Sequence, residues 1–329
     1  MFESPHFLRH STKMVDDPFS DILKFTNAQS VVSGGFAAGG SWAVRFPAPD
    51  KIKFFGLVKG RCWLSMDGEE APVRIEEGDV FLLSAQRSFV LSSDLAAVPI
   101  DATSLFGGGA SKFAEIGDGE DCIQIGGHVR LDPASGGLLA DILPPLIHVR
   151  ASSPQATVLQ WLLDQLVRER VADLPGASLA SAQLAQLMFV QILRAHLAAS
   201  GSFAAGWLRA LGDPRIAPAL RLMHGDPSRD WHLEELAHSV AMSRSTFSSR
   251  FREVAGVPPL TYLTNWRMRL AQRALREGNA PVSTLGLSLG YTSESAFSNA
   301  FKRAIGMAPK RFRDKARADG GSLQSAPAE

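Results

Sequence analysis

The chain has 329 residues, of which 45% are hydrophobic and 20% charged, and its formal net charge is +1. This composition is typical of a globular protein with room for two domains, each with its own core. No apolar run approaches the roughly 18 residues of a membrane span, and we expect neither a span nor a secretory leader. Cys62 and Cys122 fit no metal-binding spacing, so we expect reduced thiols in a cytoplasmic protein.

Residues 17–132 alternate short apolar runs with turn-forming Gly, Asp and Pro, after an N-terminal extension (1–16) with little pattern. A short helix is expected to lead into this region from Asp17. The runs are rich in β-branched and aromatic residues, which predicts a small all-β barrel or sandwich. Strands are predicted at Ser30–Val32, Ser41–Phe46, Ile52–Val58, Arg61–Met66, Ala71–Ile75, Val80–Leu83 and Ser88–Leu91.

The interior of this barrel is either an apolar core or a ligand pocket. Large aromatic side chains dominate ordinary cores, so core packing is the simpler interpretation for each aromatic residue. Arg45 is the better indication of a ligand, because a guanidinium near a barrel mouth can bind an anion, although it equally fits a solvated strand position. The candidate effector-binding residues are Trp42, Arg45, Phe54, Phe55, Trp63, Phe81 and Phe89.

Residues 133–213 are predicted to form a connector, with a short helix, and then two longer helices. Apolar residues recur at helical spacing from Leu159 to Val167 and from Leu184 to Ile192, with Pro175 and Gly176 between them. A helical hairpin of this kind buries its apolar stripe within itself or against a second subunit.

Positive charge is concentrated in residues 214–317, which hold 17 Lys and Arg against 8 Asp and Glu, whereas residues 1–213 hold 17 against 23. The near-neutral total therefore hides a basic C-terminal domain, as expected of a polyanion-binding protein. The tail at 318–329 is rich in Gly, Ser and Ala and is expected to be disordered.

One helix-turn-helix pattern occurs twice within the basic region, which indicates one supersecondary unit used two times. In each unit, a serine is placed to cap the second helix and a glycine ends it. Two phenylalanines four residues apart on that helix face inward. A longer helix is predicted from Pro259 to Arg276, between the two units. The pairs, each 50 residues apart, are Ser243/Ser293, Phe247/Phe297, Phe251/Phe301, Gly256/Gly306 and Pro259/Pro309.

The outward face of each second helix carries hydroxyls, an amide or cations, which can hydrogen-bond to base edges and phosphates in a major groove. A solvated surface would explain one such helix, but two copies in a basic domain favour DNA binding. The predicted DNA-binding residues are Arg244, Ser245, Thr246, Ser248, Ser249 and Arg250 in the first unit, and Glu294, Ser295, Ser298, Asn299, Lys302 and Arg303 in the second.

The double unit resembles the DNA-binding domain of the AraC/XylS family of bacterial transcription regulators. Its motifs are M-S-x-S-x-F-x-x-x-F at Met242–Phe251 and G-Y-x-S-x-x-x-F-x-x-x-F at Gly290–Phe301. The family usually has alanine where this chain has Gly286, and we expect the glycine to loosen that short helix slightly. The resemblance implies that the two recognition helices enter successive major grooves, with bases faced by Ser245, Ser248, Ser249, Glu294, Ser295, Ser298 and Asn299.

The N-terminal half resembles the cupin-type sensor domain found ahead of this module, through the spacing of Gly60, Asp67-Gly68 and Gly78-Asp79. The resemblance implies an α+β multidomain protein with a cupin-like β-barrel, a helical connector that carries dimerisation, and an all-α double helix-turn-helix domain. It also implies promoter DNA, RNA polymerase, a small-molecule effector and a second copy of the chain as partners.

Two alternatives remain: a cupin enzyme fused to a DNA-binding module, and a regulator whose barrel is only a dimerisation or docking scaffold. Cupin metal sites need converging histidines, but this chain has none between His10 and His128, and Phe55 and Phe89 occupy the expected ligand positions. We therefore predict no metal, no cofactor and no catalytic residue. Metal analysis tests the enzyme alternative, and small-molecule binding by the barrel tests the scaffold alternative.

Overall fold

The computed structural model describes residues 17–84, 86–106, 113–132, 135–140, 142–172, 174–199 and 206–323. The chain divides into two compact units, one of residues 26–202 and one that combines residues 1–25 with residues 203–329. Helix α1 (Pro18–Phe25) belongs to the second unit although it precedes the barrel in sequence. The predicted extension at 1–16 lies outside the described residues. In the described part of the chain, every helix is too short or too polar to cross a membrane.

Two β-sheets form the first unit. The larger sheet has the strand order β11 (Leu146–Val149), β6 (Val80–Leu83), β3 (Ile52–Lys59), β10 (Cys122–Arg130), β1 (Gln29–Ala38) and β9 (Phe113–Ile116). The smaller sheet has the order β5 (Val73–Glu76), β4 (Arg61–Met66), β7 (Phe89–Ser92), β2 (Ala43–Phe46) and β8 (Ile100–Asp101). Neighbouring strands run antiparallel except for the β1–β9 and β2–β8 pairs, which are parallel.

Side chains from both sheets pack together in one apolar core. Phe55 and Phe81 come from the larger sheet, and Leu64 and Phe89 from the smaller one. Because successive side chains of a strand point to opposite faces, alternate residues such as Phe55 and Leu57 enter this core together.

Both cysteines are buried in the same core as free thiols, as the sequence predicts. A hydrogen bond with Cys122 and burial together raise the pKa of the Cys62 thiol. Cys62 therefore stays protonated at neutral pH, which keeps it a weak nucleophile.

The seven predicted strands correspond to β1–β7, but the prediction missed β8, β9, β10 and β11 and found only three residues of β1. Strand β10 was missed because Gly126 and Gly127 interrupt its apolar pattern, and Gly34 and Gly35 do the same in β1. Glycine is unfavourable in an isolated strand, yet these two strands pair with each other along their length, so sheet pairing outweighs local propensity. Strand β11 was wrongly placed in a connector.

Helices cover part of the larger sheet. After the short helices α2 (Ala102–Phe106) and α3 (Gly137–Ala140), the predicted helical hairpin is present as α4 (Ala156–Ala172) and α5 (Ala177–Ala199). Leu163 of α4 lies directly over Gly56 of β3. A Cβ added at Gly56 would lie 2.6 Å from Cδ1 of Leu163. The hairpin therefore buries an apolar stripe against the barrel.

The second unit is entirely helical in its described residues. Besides α1 it contains α6 (Trp207–Gly212), α7 (Ala217–Gly225), α8 (Leu233–Ser239), α9 (Arg244–Ala255), α10 (Pro259–Glu277), α11 (Val282–Ser288), α12 (Glu294–Ile305) and α13 (Pro309–Leu323). Helix α13 continues to Leu323, so the expected disorder is wrong for residues 318–323. The good helix formers Lys315, Ala316, Arg317 and Ala318 lead into this last stretch. Residues 324–329 lie outside the described chain.

Each helix-turn-helix unit has its own apolar core. Phe247 and Phe251 are fully buried in the first core, and Phe297 and Phe301 in the second. Helix α10 reaches both, because its Leu263 packs in the first core while Met268, Ala271 and Leu275 pack in the second. The connecting helix is thus part of both units rather than a free spacer.

Helix α1, which the sequence predicts as a lead-in to the barrel region, packs against the first helix-turn-helix unit. The Phe25 and Trp266 rings lie 5.8 Å apart, and the Trp266 ring stacks at 4.1 Å on His224 of α7. An Asp21 carboxylate oxygen lies 3.1 Å from Nδ1 of His224, and Nε2 of His224 lies 2.9 Å from the Tyr262 hydroxyl. Sequence periodicity does not show which core a helix joins, so this packing of α1 could not be predicted from the sequence.

Candidate nucleic-acid interface and barrel cavity

The first unit has a tight turn between α8 and α9. Ala241 adopts a φ of +52°, and the Met242 amide donates to the Ala237 carbonyl at 3.0 Å. Ser243 then caps α9, because its hydroxyl accepts from the Thr246 amide at 3.2 Å. Gly256 ends the helix in the left-handed conformation, as the sequence predicts.

The second unit repeats this construction with one difference. Ser293 caps α12 by accepting from the Ala296 amide at 3.1 Å, and Gly306 ends the helix with a φ of +82°. The Tyr291 amide donates to the Gly286 carbonyl, the counterpart of the Met242–Ala237 bond 49 residues earlier, whereas the caps are 50 residues apart. The second turn is therefore one residue longer, and Thr292 is the additional residue.

Paired phenylalanines fix which face of each recognition helix points outward. The rings of Phe247 and Phe251 lie 5.6 Å apart, and those of Phe297 and Phe301 lie 5.8 Å apart, all buried. The residues on the opposite face are consequently held toward solvent. Those exposed are Arg244, Ser245, Thr246, Ser249, Glu294, Ser295, Asn299, Lys302 and Arg303, while Ser248, Ser298 and Arg250 are half-buried.

The cations on these faces differ in their partners. Arg250 donates to Asp213 at 2.7 Å and to Glu253 at 3.1 Å, and the Asp213 carboxylate raises the pKa of the guanidinium. Arg244 pairs with Glu234 at 3.1 Å. In contrast, Lys302 and Arg303 form no ion pair within the described residues, and they lie in the last turn of α12, where the helix dipole favours cations.

A cavity of about 420 Å³ lies inside the barrel unit. Its walls are aromatic, and two of the predicted effector-binding residues, Phe55 and Phe89, line it. The other main lining residues could not be predicted from the sequence, because most of them lie on β1 and β10 or in segments without a predicted strand. These are Phe36, Phe46, Asp50, Lys53, Phe106 and Gln124, with Gly34, Gly35, Gly126 and Gly127.

The structure places the other five predicted effector-binding residues away from this cavity. Trp42 and Phe81 are buried in the core, and Phe54 is buried with its ring against Gly127. Trp63 is half-buried on β4. Arg45 is exposed and lies 3.6 Å from an Asp67 carboxylate oxygen, which fits the solvated-strand interpretation.

Comparison with known proteins gives the same two-part organisation. Residues 17–198 match the family model described as Cupin, and residues 236–315 match the one described as Helix-turn-helix domain. An AraC-like transcription regulator of Streptomyces antibioticus is 42% identical over 297 residues, which cover 90% of this chain and 98% of that protein. The chain belongs to the AraC family of transcription regulators.

Further relatives carry similar descriptions. The HTH-type transcriptional regulator AlkR of Acinetobacter baylyi is 29% identical, over 84% of this chain and 92% of its own. Among solved structures, the DNA-binding domain of AdpA in complex with a target DNA is 32% identical, covers 32% of this chain and 96% of that chain, and has a TM-score of 0.31.

Membership of the AraC family excludes the enzyme alternative, since the matched relatives are transcription regulators. The cavity chemistry is consistent with this result. Phe55 and Phe89, at the positions expected for cupin metal ligands, both line the cavity, with their rings 5.7 Å apart. In the residues that the structure describes, no three His, Cys, Asp or Glu side chains are grouped so as to share a metal ion. The absence of a bound metal stays a prediction.

Proposed function

We propose that this AraC-family regulator binds promoter DNA with both recognition helices at once. Support comes from α10, which packs into the cores of both helix-turn-helix units and so fixes their separation. The two helices then read bases about one DNA turn apart, roughly 34 Å or 10 bp, on one face of the duplex.

The roles of the side chains follow from their chemistry and partners. Ser245, Ser248 and Ser249 contact one base patch. Glu294, Ser295, Ser298 and Asn299 contact the other, where a carboxylate suits cytosine N4 and an amide suits adenine N6 and N7. Lys302 and Arg303 contact phosphate. Arg250, already paired with Asp213, mainly positions α9, and Arg244 and Thr246 lie at the edge of the first patch.

This proposal is tested by measuring the affinity for promoter DNA by fluorescence anisotropy at increasing salt concentrations. Each phosphate contact releases condensed counterions, so the logarithm of the affinity should fall linearly with the logarithm of the salt concentration. Lys302→Ala should reduce that slope by about one, whereas Arg252→Ala, a matched change of an exposed cation that lies outside the proposed contacts, should leave it unchanged. Equal slopes for wild type and Lys302→Ala would contradict the assignment.

A small-molecule effector in the barrel cavity controls DNA binding in this proposal. The cavity volume falls within the range of ligand sites, about 300–1,000 Å³, and its walls are largely apolar with a few polar groups. A barrel that served only as a scaffold would not require such a cavity.

The effector proposal is tested by measuring promoter affinity with and without the small-molecule fraction of cells. Ala48→Trp should abolish the response, because the exposed Ala48 lines the cavity and an indole there would obstruct it. The same substitution at exposed Ala96, away from the cavity, should leave the response intact. A response that survives Ala48→Trp would show that the effector binds elsewhere.

The helical hairpin provides the proposed homodimer contact. Val158 and Trp161 on α4 are exposed and three residues apart, and Leu179 and Leu187 on α5 are exposed as well. Apolar side chains at this spacing form a stripe on one side of a helix, which a second subunit would cover. Sedimentation should show a dimer that Trp161→Glu dissociates, whereas a monomeric wild type would contradict the proposal. We also propose that the protein acts in the cytoplasm and that RNA polymerase is one of its partners.

A further inference from the structure

Four glycines contribute to the lining of the barrel cavity. Gly34 and Gly35 on β1 and Gly126 and Gly127 on β10 lie in adjacent central strands and line the cavity. A Cβ added at Gly126 would approach the Phe55 ring to 2.8 Å, so any side chain there would meet the cavity wall. Glycine at this position therefore lets the Phe55 ring lie close against the sheet.

Five phenylalanine rings provide flat apolar walls around this space. Phe46 is stacked on Phe89 with ring centroids 4.8 Å apart and an angle of 9° between the rings. Phe106 lies 6.2 Å from Phe46, and Phe55 and Phe36 complete the lining. Rings in such offset arrangements accept a further flat ring, because aromatic pairs prefer offset-stacked and edge-to-face geometry.

Gln124 is the exception among these walls. Its side chain is 1% exposed and lines the cavity, and neither Nε2 nor Oε1 has a hydrogen-bond partner within the described residues. A buried polar group without a partner is costly, and native proteins rarely keep one without a role. A carboxamide presents a donor and an acceptor side by side, and its best complement is another group with an adjacent acceptor and donor.

The charged residues that line the cavity balance each other. Lys53 and Asp50 both line the cavity, and burial lowers the pKa of Lys53 while Asp50 acts in the opposite direction. One cation beside one anion does not favour a ligand with a large net charge. A neutral polar group is the better match for Gln124.

We infer that the cavity binds a flat aromatic molecule that carries a carboxamide or lactam group, and that the Gln124 side chain turns toward it so that both atoms of its amide, which are covered in this structure, hydrogen-bond to that group. This inference rests on the proposed effector control and specifies the chemical class of the effector. The phenylalanine walls hold the ring, and Gln124 selects molecules by their donor–acceptor edge. Rejection of analogues without the donor follows, because they would leave Oε1 of Gln124 unpaired.

Two matched probes test the inference by calorimetry on the full chain. 2-Naphthamide and 2-acetylnaphthalene have nearly the same shape, but the second replaces the amide NH2 with a methyl group. The wild-type protein should bind 2-naphthamide about tenfold more tightly, as expected for one hydrogen bond to an otherwise unpaired buried acceptor. Equal affinities, or no saturable binding of 2-naphthamide, would overturn the inference, and this comparison needs no variant.

Gln124→Leu then identifies the residue responsible. The change removes the unpaired amide at similar volume and should reduce the tenfold preference to about one. Gln183→Leu, the same change at an exposed position of α5, should retain the preference. A preference that persists in folded Gln124→Leu would contradict the role of Gln124.

The outcome separates the ligand class from the proposed control of DNA binding. If 2-naphthamide shows no preference but the small-molecule fraction of cells still changes promoter affinity, the ligand class is wrong and effector control stands. If the preference is found but no small molecule changes promoter affinity, effector control is wrong and the cavity chemistry stands.

Discussion

Gly286 controls how closely the two helices of the second helix-turn-helix unit approach. An added Cβ there would lie 2.9 Å from Cβ of Phe297 and 3.1 Å from its Cγ. The sequence predicted only that glycine loosens α11, which stays a prediction. Its contact with Phe297 was not predictable, because it depends on how α11 crosses α12.

Gly286→Ala should therefore destabilise the protein by about 1 kcal/mol. Overpacking costs roughly 1–3 kcal/mol and outweighs the helix propensity gain of at most about 1 kcal/mol. Gly225→Ala is the control, since an added Cβ at that helical glycine meets nothing within 4 Å. Urea unfolding should show a lower midpoint for Gly286→Ala only, and an unchanged or higher midpoint would mean that the helices readily move apart.

Asn299→Ala should weaken binding to the preferred DNA site by about 1–3 kcal/mol and relax base choice at one or two positions. Asn299 is exposed on α12, and its amide is suited to adenine. Lys302→Ala should weaken binding to all sequences about equally, because phosphate contacts carry no base information. Affinities for a set of single-base site variants distinguish the two effects. If Asn299→Ala lowered the affinity for all site variants equally, Asn299 would contact the DNA backbone, as Lys302 does in this proposal.

His224 should make stability depend on pH. Burial lowers its pKa from 6.5, against the opposing effect of Asp21 and Asp17, so the folded protein holds the neutral ring with Nδ1 donating to Asp21 and Nε2 accepting from Tyr262. As the pH falls below about 6.5, the unfolded chain takes up a proton before the folded chain does, and the free energy of unfolding decreases until the folded pKa is passed.

The thermal midpoint of the wild-type protein should accordingly fall more steeply between about pH 7.5 and 5.5 than that of His224→Asn. His128 and His196, whose pKa values burial also lowers, contribute equally to both proteins. The difference between the two pH profiles therefore isolates His224. Parallel profiles would show that the folded protein accommodates the protonated ring.

Among the elements, the recognition helices were predictable and the central strand β10 was not. Ser243 and Gly256, like Ser293 and Gly306, determine helix ends through contacts within a few residues, so their pattern is visible in the sequence. Strand β10 is held by β1 and β3, which precede it by many residues. Since the cavity is largely built on these strands, Gln124 could not be identified as a site residue from the sequence.

Helix α1 precedes the first strand in sequence but packs against helices of the DNA-binding unit. Ile22 is 1% exposed, and Phe25 covers the ring of Trp266. A DNA-binding fragment without α1 would leave this apolar surface open. Such a fragment should also start before α6, because Ala210 of α6 belongs to the first core.

A peptide of residues 17–27 should bind the fragment of residues 206–323 and raise its thermal midpoint. Binding should also shift the tryptophan emission to shorter wavelength, since Trp266 becomes covered. The Ile22→Asp peptide should do neither, because it would bury an unpaired carboxylate. Equal midpoints with both peptides would mean that α1 does not stabilise the DNA-binding unit.

For the molecule as a whole, the sequence predicted a barrel, a helical region and a basic double helix-turn-helix domain. Family membership confirms a cupin domain followed by a helix-turn-helix domain, and the described strands of the first unit form two separate sheets. The DNA-binding region could be predicted from its net charge, because that charge is a sum over residues 214–317 and does not depend on how they pack. The barrel cavity had no such signal, since the same phenylalanines suit a filled core.

Selection of binding sites from a random DNA pool with the full-length protein tests most directly whether both helices read sequence. The account predicts two base-specific patches for each chain, separated by about 10 bp, because α10 holds the recognition helices at a fixed distance. The patch that loses specificity in Asn299→Ala should be the one read by α12. A single patch, unchanged in Asn299→Ala, would contradict the account and leave the second helix as a backbone contact only.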